Sequence, residues 1–298
     1  MRVVINTPSG NLGHRVVDQL LTARHDVVII SRHPDKVAPA MARGAALVSG
    51  SIDEEAVLDR ALRGADALFW VTPITFEPAD YMAWARLVGR NAAAVARRHD
   101  VRRAVVISSI GAQHEDAVGP VGCNVAIEQA FTNAVPNLTI LRPASFMENL
   151  LQHVPTIAGT GTIYTRYPQS LGIPWIATRD IADRAVAALT DTGWTGPHVL
   201  ELQGPEDLDQ TQLAAIVGEA IVRQVTSIEV TDEQAKQGML SAGMPASFAQ
   251  LLLEMYAAVA SGRMKRTQPR SPLTSTPTSL FTFAREVLKP AVDAAPTI

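Results

Sequence analysis

The sequence MRVVINTPSGNLG, from Met1 to Gly13, decides the fold. An apolar run, Val3 to Ile5, stops in the small-residue turn Thr7-Pro8-Ser9-Gly10, and an amphipathic segment follows from Leu12. Strand, glycine turn and helix in this order are typical of the start of a doubly wound α/β sheet that binds a dinucleotide. A diphosphate binds to free backbone N–H groups at the positive end of a helix dipole when no side chain intervenes.

The turn departs from the usual pattern because Thr7-Pro8 replaces its first glycine. Pro8 has no N–H to offer an anion, and its ring fixes φ. Gly10 still permits close backbone approach, and Gly13 permits tight packing of the helix on the strand. A turn that no longer grips a cofactor therefore stays an alternative, but the two remaining glycines favour binding.

Apolar runs and amphipathic segments alternate up to about residue 142, which predicts parallel strands joined by right-handed helical crossovers. The predicted strands are Val3–Ile5, Val27–Ile30, Ala46–Val48, Ala67–Val71, Ala104–Ile107 and Leu138–Leu141. After Arg142-Pro143 the pattern becomes irregular, and the sequence ends with a predicted helix over Leu280–Leu288. We therefore expect a Rossmann-type doubly wound sheet over residues 1–150 and a smaller α+β substrate lobe over residues 151–298, sharing one core.

The end of the second predicted strand, Ser31-Arg32-His33-Pro34, is where a Rossmann fold meets the adenosine ribose. An acidic residue there would bind a free 2′-hydroxyl and select NAD. Arg32 and the nearby Lys36 instead suit a 2′-phosphate, since guanidinium pairs bidentately with phosphate. The sequence therefore predicts NADP(H), with a solvated surface arginine as the alternative.

Composition excludes several function classes. The chain has 298 residues and a formal net charge of −3, so nothing in it favours nucleic acid as a partner. Its single cysteine, Cys123, excludes an internal disulfide framework, and no histidine pair has metal-ligand spacing, so we expect no metal. It has no apolar run of about 18 residues and no signal peptide, so we expect no membrane segment and a cytoplasmic location. The oligomeric state stays open, with a homodimer as one option.

Several of these segments together resemble the NmrA-like family of atypical short-chain dehydrogenase/reductases. They are the glycine turn, Ser31–Pro34, Ser108-Ser109-Ile110-Gly111, Ala126-Ile127-Glu128-Gln129 and, most specifically, Leu141-Arg142-Pro143-Ala144-Ser145-Phe146-Met147-Glu148-Asn149. The resemblance covers nearly the whole chain. It implies a Rossmann domain that binds NADP(H) and a C-terminal lobe that forms the substrate pocket.

The resemblance also shows what this chain lacks. Many relatives carry a lysine, with a tyrosine four residues earlier, at the start of the helix that holds Glu128. Here those positions are Asn124 and Pro120, so we expect no tyrosine–lysine proton relay. Hydride transfer needs only the cofactor, and quinones need little acid assistance. As catalytic candidates we take Asn124, His114 and Tyr81, against the alternatives of a solvated loop histidine and a structural tyrosine.

The remaining assignments follow from the carboxyl ends of the predicted strands. We assign to the cofactor Thr7, Gly10, Asn11, Leu12, Gly13, Arg32, Lys36, Val71, Thr72, Pro73, Ser108, Ser109, Ile110, Pro143 and Phe146. We assign to the substrate Gln113, Phe146, Met147, Asn149 and Trp175, with core packing as the alternative for Phe146 and Met147.

The sequence thus predicts an NADPH-dependent reductase of the quinone-reductase type, acting on a small flat electrophile such as a quinone or an aromatic polyketide-type compound. Two alternatives remain. One is a redox sensor that binds NADP(H) without turnover and signals through a partner protein. The other is an isomerase or cyclase that keeps the pocket without the hydride. Fold resemblance alone does not choose between them.

Overall fold

A computed structural model describes residues 1–114 and 116–295. Two compact units account for the chain. The first contains residues 1–117, 121–142 and 181–200, and the second contains residues 118–120, 143–180 and 201–298. Each unit is therefore built from separate segments of the chain. The expectation from the sequence was a single boundary at residue 150. The chain leaves the first unit after Arg142 and returns to it for residues 181–200.

The chain up to residue 143 alternates strands with helices. In order these are β1 (Arg2–Ile5), α1 (Gly13–Thr22), β2 (Asp26–Ser31), α2 (Pro34–Ala42), β3 (Ala46–Ser49), α3 (Glu55–Leu62), β4 (Ala67–Val71), α4 (Tyr81–Arg98), β5 (Arg103–Ile107), α5 (Gly122–Thr132) and β6 (Asn137–Pro143). A 3-10 turn, Gly119–Val121, precedes α5. The predicted strands agree with these to within two residues at each end.

The later part of the chain has shorter elements. They are β7 (Ser145–Phe146), α6 (Val154–Thr160), β8 (Thr162–Thr165), β9 (Ile173–Ile176), α7 (Thr178–Thr190), β10 (Pro197–Leu202), β11 (Asp207–Leu208), α8 (Gln210–Ile221), β12 (Thr226–Glu229), α9 (Asp232–Ser241), α10 (Ala246–Ala260), α11 (Leu280–Phe283) and α12 (Lys289–Asp293). A 3-10 helix spans Met147–His153, and a π-helical turn spans Ala284–Leu288.

The main sheet has seven strands in the order β10-β6-β5-β4-β1-β2-β3. The pairs β1–β2, β1–β4, β2–β3, β4–β5 and β5–β6 are all parallel. This confirms the doubly wound α/β fold. Strand β1 lies between β2 and β4, so the chain order reverses direction at β1. Ligands of such sheets bind at the carboxyl ends of the strands beside this switch point.

Burial explains why these segments are strands. Val3, Val4 and Ile5 of β1 have no exposed surface, and the neighbouring strands are equally apolar. Strands buried on both faces read as continuous apolar runs, which is why periodicity located them.

The second unit has its own apolar core, to which Met147, Trp175, Phe283 and Leu288 belong. Buried carboxylates fix its irregular segments. Glu201 accepts hydrogen bonds from the backbone N–H groups of Thr267 and Gln268, and Asp180 accepts them from the N–H and hydroxyl of Thr278. The polar stretch between Thr267 and Thr278 is thereby held in place without regular structure. Within the described residues, no helix combines the length and apolarity needed to cross a membrane.

Candidate functional site

The segment after β1 forms a tight turn. The N–H of Gly10 donates to the carbonyl of Thr7 over 3.1 Å. Proline at the second position and glycine at the fourth suit a type I turn. Pro8 is therefore compatible with the turn from Thr7 to Gly10. Thr7, in place of the usual first glycine, has φ of 50°. A β-branched residue rarely adopts this left-handed conformation, so the substitution keeps the glycine backbone shape at a cost in strain.

The start of α1 fits a phosphate group. A Cβ added to Gly13 would lie 2.1 Å from the carbonyl oxygen of Thr7, so only glycine lets the helix approach the turn this closely. Gly10 and Asn11 are exposed. Throughout the described residues, no acceptor pairs with the backbone N–H of Asn11 or Leu12. Unpaired N–H groups at a helix N-terminus, beside an exposed glycine, can bind a diphosphate.

Asn6 fixes the ends of the two central strands, and we did not single it out from the sequence. Its side chain donates to the carbonyl of Val71 over 2.6 Å and accepts from the N–H of Val71 over 2.8 Å. The residue is completely buried. The predicted cofactor residue Val71 is thus held beside the glycine turn, and the hydroxyl of Thr72 accepts a hydrogen bond from the indole of Trp70. The signal for Asn6 in the sequence was a polar residue directly after an apolar strand.

Arg32 lies directly after β2, as predicted, and it has an acidic partner. Its Nη1 donates to Oε2 of Glu77 over 2.6 Å, with both side chains about half exposed or more. This hydrogen bond holds the pKa of Glu77 below its usual range. Lys36 is exposed on the first turns of α2. The adenosine end of the expected site therefore carries cationic groups and a competing carboxylate.

Ser108, which we expected to face the cofactor, is buried, and its hydroxyl has a hydrogen-bond partner within the protein. Its hydroxyl donates to Glu128 over 2.5 Å. Arg142 forms a bidentate pair with the same carboxylate, at 2.9 and 2.6 Å. Neither side chain of this pair is more than 14% exposed. Ser108 therefore contributes to a buried polar network joining α5 to the ends of β5 and β6. The hydroxyl of Ser109 donates to the carbonyl of Ile110.

Two of the catalytic candidates, Tyr81 and Asn124, each adjoin Cys123. The hydroxyl of Tyr81 hydrogen-bonds to Cys123, and the Cys123 thiol lies 3.9 Å from the amide oxygen of Asn124. Burial raises the pKa of Tyr81 above its ordinary value, and the neighbouring Cys123 adds to this shift. Burial also raises the pKa of the Cys123 thiol to about 11. Tyr81 is therefore a neutral, packed group, and Cys123 is no nucleophile at neutral pH.

His114, the third candidate, lies beside Gln113. The amide nitrogen of Gln113 is 3.2 Å from Nε2 of His114, and its amide oxygen accepts from the N–H of Gly111. Gln113 also lines a pocket of about 390 Å³ to which Glu128 and Arg142 contribute. The predicted substrate residue Gln113 thus positions the histidine next to it.

The other predicted residues belong to the second unit. Phe146 is half-buried and Asn149 is exposed, whereas Pro143 is buried. Met147, 1% exposed, and Trp175, 8% exposed, are part of the apolar core. This packing supports the core alternative for Met147. The indole N–H of Trp175 has no partner among the described residues.

Among the described residues, no cluster of three histidine, cysteine, aspartate or glutamate side chains could hold a metal ion. The first unit presents the glycine turn, Arg32 and Val71 along the carboxyl edge of one sheet. Tyr81 and Asn124 each adjoin Cys123, and His114 lies beside Gln113.

The chain is similar to known proteins. A family model described as NAD(P)H-binding matches residues 9–192. The chain is 31% identical over 249 residues to the NAD(P)H azoreductase of Xenophilus azovorans, covering 84% of each protein. It is 25% identical over 268 residues to quinone oxidoreductase 2 of Escherichia coli, covering 87% of this chain and 88% of that protein.

Solved structures show the same fold. The triphenylmethane reductase of Citrobacter sp., complexed with NADP(H), superposes with a TM-score of 0.80 at 21% identity, covering 96% of this chain and 99% of that one. The NADPH-dependent quinone oxidoreductase of Escherichia coli, complexed with NADPH, gives 0.79 at 23% identity, with the same coverage. At these identities the similarity establishes the fold.

Proposed function

The chain belongs to the NAD(P)H-binding family, and from this premise we propose that it is an NADPH-dependent reductase. It transfers hydride to a small, flat, electrophilic aromatic compound such as a quinone. The observation that carries this proposal is the turn at Gly10 and Gly13, where unpaired N–H groups of a helix N-terminus lie beside an exposed glycine. Relatives named as an azoreductase and a quinone oxidoreductase supply the substrate class.

In this proposal, different residues of the first unit bind different parts of the cofactor. The N–H groups of Asn11 and Leu12 bind the diphosphate. Arg32 and Lys36 bind the adenosine phosphate, which makes NADPH the preferred form. Val71, fixed by Asn6, keeps the edge of β4 in position for the ribose. Thr72, Pro73, Ser109 and Ile110 complete the assignment at the neighbouring strand ends.

The bound nicotinamide supplies the hydride, and the protein supplies position and a proton. We assign the proton to His114, whose ring is held by Gln113. Asn124 orients the substrate oxygen through its amide. Tyr81 fits a structural role better, because it is buried and its hydroxyl is hydrogen-bonded to Cys123. The reaction proceeds without a tyrosine–lysine relay, which an acceptor as electrophilic as a quinone does not need.

The remaining assignments of this proposal concern the substrate. Phe146 and Asn149 are the candidates, of which Phe146 offers a half-buried aromatic surface for a flat ring. Trp175 fits a structural role better, because it is 8% exposed and belongs to the apolar core. We place the reaction in the cytoplasm, and the one cysteine of the sequence, which cannot form an internal disulfide, is consistent with this. A homodimer remains a proposal to be measured.

The test separates binding from turnover. Calorimetric titration of the purified protein with NADPH and NADH comes first, followed by loss of reduced-nicotinamide absorbance with a panel of quinones and azo dyes. We expect selective NADPH binding and turnover of at least one flat acceptor. Selective binding without turnover across the panel would indicate the sensor function, and failure to bind either nucleotide would reject the reductase.

A matched pair of variants tests the role of Arg32. Arg32→Gln removes a charged hydrogen bond to phosphate, worth about 1.5–3 kcal/mol, so NADPH affinity should fall at least tenfold while NADH affinity stays unchanged. Arg43 is the control, because it is a similarly exposed arginine paired with Asp18 at the far end of α2. Arg43→Gln should leave both affinities unchanged. Equal losses for NADPH and NADH in Arg32→Gln would contradict the assignment.

A further inference from the structure

The ion pair between Arg32 and Glu77 connects two parts of the carboxyl edge of the sheet. Arg32 follows β2, whereas Glu77 lies in the segment 72–80 that follows β4. Strand β1 lies between these two strands. The pair therefore links the strand ends on either side of β1, the strand that leads into the glycine turn.

The segment carrying Glu77 is fixed at both of its ends. Asn6 holds Val71 before it, and the Asp80 side chain caps α4 after it by accepting from the N–H of Ala83. Between these anchors, Ile74 is 61% exposed. Glu77 is the acidic residue through which this segment meets Arg32, so release of the pair would change a loop and leave the sheet intact.

Glu77 and a nucleotide phosphate need the same group. Nη1 of Arg32 is 2.6 Å from the Glu77 carboxylate, and a guanidinium binds either anion through the same planar fork of donors. Asp53 adds a second negative charge that acts on Arg32 and on Glu77. Its own carboxylate is 3.4 Å from the indole nitrogen of Trp84. A phosphate that approaches Arg32 must therefore compete with one carboxylate and tolerate another.

We propose that Glu77 is an internal competitor for the adenosine phosphate, and that it sets the NADPH affinity and the preference for NADPH over NADH. The phosphate displaces Glu77 from Arg32 when NADPH binds. NADH carries no 2′-phosphate, so it binds with the pair intact. This inference rests on the proposed function, because it takes Arg32 as the phosphate-binding residue. It adds a residue from a different strand end that opposes binding.

The test is the affinity of purified Glu77→Gln for NADPH and for NADH by calorimetry. Breaking an exposed Arg–Glu pair should tighten NADPH binding about two- to fivefold, because the competitor has been removed. NADH affinity should stay unchanged. Asp18→Asn is the matched control, since it breaks the exposed pair with Arg43 and should change neither affinity.

A double-mutant cycle identifies the route of the effect. If Glu77 acts by occupying Arg32, the gain from Glu77→Gln should disappear in the Arg32→Gln background. A gain of the same size there would show direct repulsion of the phosphate and would overturn the proposal. An unchanged NADPH affinity in Glu77→Gln, or an equal gain for NADH, would overturn it too. Wild-type protein that binds no NADPH would reject the proposed function itself.

Discussion

Gly13→Ala should damage both stability and cofactor binding, because the position has no room for a side chain. The added Cβ would lie 2.1 Å from the carbonyl oxygen of Thr7, 2.9 Å from its carbonyl carbon and 3.2 Å from Cα of Pro8. Each of these is a backbone atom, so no side chain can rotate away. Real Cβ contacts stay above 3.0 Å, which means that the turn or the helix must move by about 1 Å.

The size of the effect follows from this displacement. Overpacking of a rigid site costs about 1–3 kcal/mol, which for a chain of this size lowers Tm by roughly 2–10 °C. The same movement shifts the N–H groups of Asn11 and Leu12 that we assign to the diphosphate. Loss of one hydrogen bond to a charged group costs about 1.5–3 kcal/mol, so NADPH affinity should fall tenfold or more.

Gly10→Ala is the matched control because the same change at Gly10 meets no obstruction. Its added Cβ would be 3.5 Å from the nearest atom, the carbonyl oxygen of Thr7. Gly10 is outside the left-handed region, so alanine is tolerated and can add about 0.4–1 kcal/mol of stability. We expect Gly10→Ala to keep or slightly raise its Tm and to weaken NADPH binding, because the methyl group occupies the exposed face of the turn. Thermal unfolding and calorimetry measure both quantities. A Gly13→Ala protein with wild-type Tm and affinity would refute the steric argument.

Two further predictions concern buried groups. Glu128→Ala leaves Arg142 buried without its carboxylate and should lower the free energy of unfolding by about 3–5 kcal/mol; Glu286→Ala breaks a more exposed pair with Arg179 and should cost at most about 1 kcal/mol. Chemical denaturation of both variants decides this, and equal losses would contradict it. The Cys123 thiol should resist labelling by a thiol reagent at pH 8, because burial raises its pKa to about 11 and leaves about one thiolate in a thousand. The unfolded thiol has its ordinary pKa near 9, so at pH 8 about one thiol in ten is thiolate, and labelling should become fast when denaturant exposes it. Rapid labelling of the folded protein would show that the thiol is accessible.

The sequence predicted β1 to β6 well because each of these strands contains a short run of mostly apolar residues. It did not predict α9 (Asp232–Ser241), which has no buried residue and so no apolar periodicity. The available signal was the capping box between Thr231 and Gln234. The two-residue strands β7 and β11 depend on pairing with β9, which no local pattern specifies.

The end of the chain shows a different limit of sequence patterns. The predicted single helix over Leu280–Leu288 is a short α-helix, a π-helical turn and a second helix that continues to Asp293. Pro290 has no N–H to donate and its ring disturbs the preceding turn, so the helix changes its hydrogen-bonding pattern before it. The apolar spacing of the segment survives this change and therefore did not reveal it.

The candidate site was predictable where its residues are close in sequence. It was not predictable where residues far apart in sequence become neighbours in the fold. The glycine turn and Arg32 follow from the order of residues along one strand and its successor. Glu77 is 45 residues from Arg32, and Glu128 is 14 residues from Arg142. Charge pairs of this kind depend on which strand ends become neighbours. The sequence therefore predicted Arg32 as a nucleotide-binding group but did not predict its pairing with Glu77, nor the pairing of Arg142 with Glu128.

The threonine in the glycine turn is the feature that links fold to function most directly. Thr7 adopts the left-handed backbone, with φ of 50°, that glycine would adopt without strain, at a cost on the order of 1–2 kcal/mol. Its carbonyl accepts the hydrogen bond from Gly10 that closes the turn. Pro8 is buried, whereas Ser9, Gly10 and Asn11 are exposed, so we expect its missing N–H to cost little anion binding. The donors that we assign to the diphosphate start at Asn11, beyond Thr7 and Pro8. The departure from the usual glycine pattern therefore changes the strain of the turn more than its capacity to bind an anion.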